Sequence, residues 1–111
     1  MTAVKMITFA NPKKLKMAIG SEYIELTEVG FWETFPEFAE KYVAQIGAKT
    51  VKRISTPDMH IWQIEYEGSI LNFVYDDFPT GISIEPKSNK GQAAIEKLWA
   101  LVVEQSQPGG L

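Results

Sequence analysis

Residues 60–85 read HIWQIEYEGSILNFVYDDFPTGISIE, and three β-strands are written in that stretch. Runs rich in β-branched and aromatic residues fill His60 to Glu67, Ser69 to Asp76 and Gly81 to Glu85. The breaks are Glu67-Gly68 and Asp76-Asp77-Phe78-Pro79-Thr80-Gly81, both made of turn-forming residues. If Glu67-Gly68 is a two-residue turn, Tyr66 pairs with Ser69, Ile64 with Leu71, Trp62 with Phe73 and His60 with Tyr75, all on one face. Carrying the register through the next turn sets Phe73 against Ile84 and Tyr75 against Ile82. Three strands then agree on one buried side, which a wrong register would not produce.

Working outward, Lys49 to Ser55 is a fourth strand-like run, joined to His60 through Thr56-Pro57-Asp58, so 49–85 reads as a meander. Before it, Phe31, Phe35, Phe38, Tyr42 and Ile46 recur at helical spacing, with Ala39 and Val43 widening the stripe. Thr34 and Glu37 have the capping-box spacing and Pro36 suits only a first turn, so the helix is expected from about Thr34 to Gly47. After the meander, Ala94, Ile95, Leu98, Leu101 and Val102 form the stripe of a last helix running from a cap at Ser88 or Asn89 to about Gln105.

The N-terminal part carries alternation at Leu15, Met17 and Ile19 and again at Ile24 and Leu26, around Gly20-Ser21. A hairpin turning on those two residues sets Ile19 opposite Glu22, Met17 opposite Ile24, Leu15 opposite Leu26 and Lys16 opposite Glu25. Val4 to Phe9 is expected to add a strand beside it. The order ββ(β)αββββα defines an α+β fold: a two-layer domain with a mostly antiparallel sheet of six to seven strands and two amphipathic helices on one face. One domain over 1–106 is expected, with 107–111 as a flexible tail.

At 111 residues the chain is long enough to bury a core without staples, and 45% hydrophobic with 23% charged residues excludes disordered and low-complexity classes. No run approaches the roughly 18 apolar residues that span a bilayer, and Met1 to Phe9 lacks a signal-peptide pattern, so a cytoplasmic protein without membrane association is expected. With no cysteine there is no disulfide, thiolate nucleophile or thiolate metal site. A sequence pI near 5.1 and only Lys13-Lys14-Leu15-Lys16 and Lys49 to Arg53 as basic runs argue against nucleic acid. In size and charge the chain resembles small bacterial accessory and immunity-type proteins.

Chemistry has few footholds. His60 is the lone histidine; Ser55 or Ser83 with Asp58 or Asp76 would complete a triad, but none sits in a diagnostic context. Neither a phosphate-binding Gly-rich loop nor an EF-hand occurs, and Glu65 and Glu85 flanking Asn72 read as a solvated acidic face. No catalytic, cofactor-binding or metal-ligating residue is therefore named, and no cofactor is expected. The informative feature is the sheet face away from the helices. There Ile61, Ile70 and Val74 sit among Gln63 and Asn72, with the Phe78 loop tip nearby as an anchor or a core plug. Such a mixed face marks protein association, with self or with another protein, and a non-enzymatic module is the leading expectation. The alternative is a small-molecule binder or enzyme whose pocket, between sheet and helices, is lined by His60, Trp62, Tyr66, Tyr75 and Trp99.

Overall fold

The computed structural model describes residues 7–18, 20–77 and 79–106. Six antiparallel strands form one sheet: β1 (Lys13–Lys16), β2 (Glu22–Thr27), β3 (Lys49–Ser55), β4 (Met59–Tyr66), β5 (Ser69–Asp77) and β6 (Thr80–Pro86). Helix α1 (Phe35–Gln45) follows β2, and α2 (Gln92–Ser106) follows β6 through a 3₁₀ turn at Asn89–Gly91. The spatial order is β1-β2-β6-β5-β4-β3. The meander β3 to β6 therefore returns to the N-terminal hairpin, and β6 pairs with β2.

The 60–85 register is the expected one. His60 pairs with Tyr75, Trp62 with Phe73, Ile64 with Leu71 and Tyr66 with Ser69, while Phe73 and Tyr75 meet Ile84 and Ile82. Glu67 and Gly68 have φ of 50° and 79°, the left-handed pair that a two-residue hairpin turn of matching twist requires. Both helices contribute to one core cluster with this face: Phe35, Ala39, Tyr42 and Val43 of α1, and Ala94, Ile95, Leu98 and Val102 of α2. One face of the sheet is thus covered, as a two-layer domain requires.

Helix α1 begins after Thr34 and accepts Pro36 in its first turn, where no amide needs an intrahelical partner. The capping box does not form: the Thr34 hydroxyl donates to the Phe31 carbonyl at 3.3 Å instead of accepting from the helix. At the other end Gly47, at φ 74°, donates to Ala44 O and Ala48 donates to Val43 O, the pair of bonds that closes a helix through a left-handed residue. Ser88 caps the 3₁₀ turn by accepting from the Lys90 amide.

The first hairpin departs from expectation by three residues. Leu15 faces Tyr23, Lys14 faces Ile24 and Lys16 faces Glu22, because the connection is longer than Gly20-Ser21: Met17 donates to Ser21 O and Gly20 to Met17 O. An odd slip exchanges the faces of a strand. Lys14 consequently points to the helix side, 2.7 Å from Glu96 of α2 and 3.7 Å from Glu22, which raises its pKa, and Leu15 lies on the outer face. Leu15, on this short edge strand, is 36% exposed. Of the expected strand at Val4 to Phe9, residues 4–6 lie outside the described residues, as does the tail 107–111. Residues 7–9 are not strand: Gln45 brackets the Ile7 backbone with two hydrogen bonds and Phe9 packs edge-on against Tyr42.

Candidate interaction surface

The pleat that turns His60, Trp62 and Ile64 inward turns Ile61, Gln63 and Glu65 outward. Cross-strand partners share a face, so the registers assemble this outer surface row by row. One row runs Lys52, Gln63, Asn72, Glu85 from β3 to β6. The next runs Ile54, Ile61, Val74, Ser83 and continues to Glu25 on β2. On the other side of the first row, Lys49, Glu65 and Ile70 are partners. Neither helix covers these rows. Val74 is nonetheless only 6% exposed, shielded by its outer-face neighbours, and it does not belong to the helix-side core.

The apolar centre is thus Ile54, Ile61, Val74 and Ile70, with two amides beside it, bases on the β3 flank and carboxylates on the β6 and β2 flank. Those carboxylates, Glu25, Glu28, Asp76 and Glu85, share a shallow concavity of about 210 Å³ with Tyr23 and Ser83. Burial and the neighbouring Asp76 push the Glu85 carboxyl above its usual range. Asn72 Oδ1 is buried without a hydrogen-bond partner. Among the described residues no group of His, Asp or Glu is arranged to hold a metal ion.

Glu85 gives a prediction with a definite sign. Its pKa is raised in the folded chain, so its ionised form costs stability at neutral pH, and that cost disappears below about pH 4, where the carboxyl is protonated folded or unfolded. In dilute solution, Glu85→Gln is expected to raise the melting temperature by a few degrees at pH 7 and to leave it unchanged at pH 4, read by tryptophan fluorescence. Equal melting temperatures at both pH values would show that the carboxylate is fully solvated.

Of the residues expected at an interface, the fold brings Ile61, Gln63, Asn72 and Val74 into one quartet, with Ile70 two residues along β5; Phe78 lies outside the described residues. Lys52 and Ile54, which complete the rows, were not among them. A bulge at Val51 breaks the alternation of β3, and the only signal for them was a register carried across Thr56-Pro57-Asp58. The loop after β2 also exposes Val29 and Phe31, at 72% and 69%.

Of the expected pocket residues, Trp62, Tyr66 and Tyr75 are buried in the core cluster, Trp99 packs against it, and His60 is buried as a polar residue. The concavities at the β1–β2 turn (Lys16, Ser21, Glu22, Asn89, Gln92) and beside Gly68 (Ile70, Lys87, Lys90) draw on other residues. His60 Nε2–H donates to the Trp32 carbonyl at 2.8 Å, and Nδ1 shares a hydrogen bond with the Ser55 hydroxyl at 2.9 Å. Ser55 is the exposed cross-strand partner of His60, while Asp58 is bonded to Thr56. Both ring nitrogens are thus occupied, and the imidazole stacks on Phe35. This is how a buried histidine is satisfied as part of a core. The Tyr75 hydroxyl donates to Asp77 at 2.6 Å, which with burial pushes its pKa up to about 12.

Fold and surface together define a two-layer α+β domain that buries one side of an antiparallel sheet under its helices and has a half-apolar side that neither helix covers. The model of the family described as "Protein of unknown function (DUF3630)" matches residues 14–104, and the chain belongs to that family. The match runs from within β1 into α2, so all of the sheet except Lys13 falls within it. No curated protein and no solved structure matches the chain. No described helix is long and apolar enough to cross a membrane.

Proposed function

We propose that this chain is a non-enzymatic association module that works through the outer face of its sheet, in the cytoplasm. The observation that carries this reading is the apolar row Ile54, Ile61 and Val74, with Ile70 beyond the Gln63–Asn72 row, flanked by opposite charges and covered by neither helix. A sheet of this kind ordinarily presents a polar outer face to water. An apolar centre with a charged rim is the pattern of a surface that meets another protein.

Sedimentation or light scattering at micromolar concentrations tests it. The native chain is expected to self-associate, and the Ile70→Lys, Val74→Lys double variant to be monomeric, since two ammonium groups cannot be desolvated in the middle of such a contact. Phe31→Ser, in the exposed loop after β2, is the control and is expected to leave association unchanged. A double variant that associates as the native chain does would remove the outer face from consideration.

A further inference from the structure

We propose that the occupant of the outer face is a second copy of this chain, related by a twofold axis running along the strands between β4 and β5, so that Lys52 of each copy meets Glu85 of the other. The inference rests on the association reading above and supplies its partner and register.

The outer face is electrically lopsided. The row Lys52, Gln63, Asn72, Glu85 has a cation at one end, an anion at the other and two amides between. A twofold along the strands reverses the order of strands while preserving position along them. It therefore lays this row on its own copy in the reverse sense. Lys52 comes to the partner's Glu85 and Gln63 to the partner's Asn72, each contact made twice. In the next row Ile61 comes to the partner's Val74 and Ile54 to the partner's Ser83. A twofold across the strands would instead stack β3 on β3 and bring the lysines together. Charge complementarity thus selects one closed arrangement, and sheets that pack face to face at about 10 Å with strands within about 30° of one another supply its geometry.

Glu85, at the carboxylate end of its row, borders the concavity it shares with Tyr23, Glu25, Glu28 and Asp76, and the partner's Lys52 brings a cation to it, while Lys13 of the same chain serves Glu28 at 3.9 Å and faces Glu25. Association by sheet edges is disfavoured, because both edge strands are dense with cations: Lys13, Lys14 and Lys16 on β1, and Lys49, Lys52 and Arg53 on β3.

A charge swap on the full chain, followed by sedimentation velocity at low ionic strength, tests the register, with far-ultraviolet circular dichroism checking that each variant is folded. Lys52→Glu and Glu85→Lys are each expected to weaken the dimer by about tenfold or more, because each puts like charges together at two symmetric places. The Lys52→Glu, Glu85→Lys chain is expected to return to within about threefold of native. A swapped chain no tighter than the single variants overturns the register. If the dimer is still lost with Ile70→Lys, Val74→Lys, the face keeps its role and the register alone fails. A dimer indifferent to both sets of substitutions overturns the association face as well, and a native chain that stays monomeric overturns self-association.

Discussion

Phe35→Ala is expected to lower the unfolding free energy by about 3–5 kcal/mol, the cost of emptying an aromatic site that cannot collapse. Phe35 is the residue on which the two layers meet. It is 1% exposed, and its ring lies 5.2 Å from that of Phe73, 5.4 Å from His60, 5.7 Å from Trp62 and 6.0 Å from Tyr75. All four partners stand on the adjacent strands β4 and β5 and cannot follow one another into the void without breaking the sheet. A domain of this size has about 5–15 kcal/mol in hand, so the variant should unfold at a much lower urea concentration. A loss below about 1 kcal/mol would mean that α1 is not seated on β4 and β5.

The second large effect separates a structural histidine from a reactive one. His60→Ala is expected to cost about 3 kcal/mol, because it removes a buried ring and leaves the Trp32 carbonyl without its donor. Ser55→Ala is expected to cost about 1 kcal/mol, since it removes one hydrogen bond and leaves the packing of the ring in place. Urea titrations of the two variants check the asymmetry, and equal costs would contradict it. Because His60 and Phe35 are stacked, the double variant should lose less than the sum of the two.

How far the sequence reaches follows from the same residues. The meander was legible because Glu67-Gly68 admits one tight turn and that turn sets the facing of every residue from His60 to Tyr75, after which Ile82 and Ile84 agree. The helices were legible from period, with Gly47 as an unambiguous stop. The first hairpin was not, because Gly20-Ser21 looks like a two-residue turn while the real connection spans Met17 to Ser21, and the register it sets brings a lysine to Glu96, some eighty residues away in sequence. No local pattern contains that ion pair. Adjacency of β2 and β6 was equally silent, since strands far apart in the chain carry no shared turn. The same limit applies to the outer face. Ile61, Gln63, Asn72 and Val74 were found by alternation in two strands joined by a tight turn, whereas Lys52 and Ile54 were hidden by the bulge in β3.

The absence of cysteine makes the central claim open to one direct measurement. Two chains, one carrying Lys52→Cys and the other Glu85→Cys, are treated with a short bismaleimide separately and as an equimolar mixture. Within one chain the two positions are three strand spacings apart, about 14 Å, and each variant has a single thiol. The expected result is a covalent dimer formed in the mixture, containing one chain of each kind, and little from either variant alone, because position 52 lies over the partner's position 85 and not over its own copy. Cross-linking that is as strong in the separate variants as in the mixture, or none in the mixture under conditions where the native chain is dimeric, would contradict it.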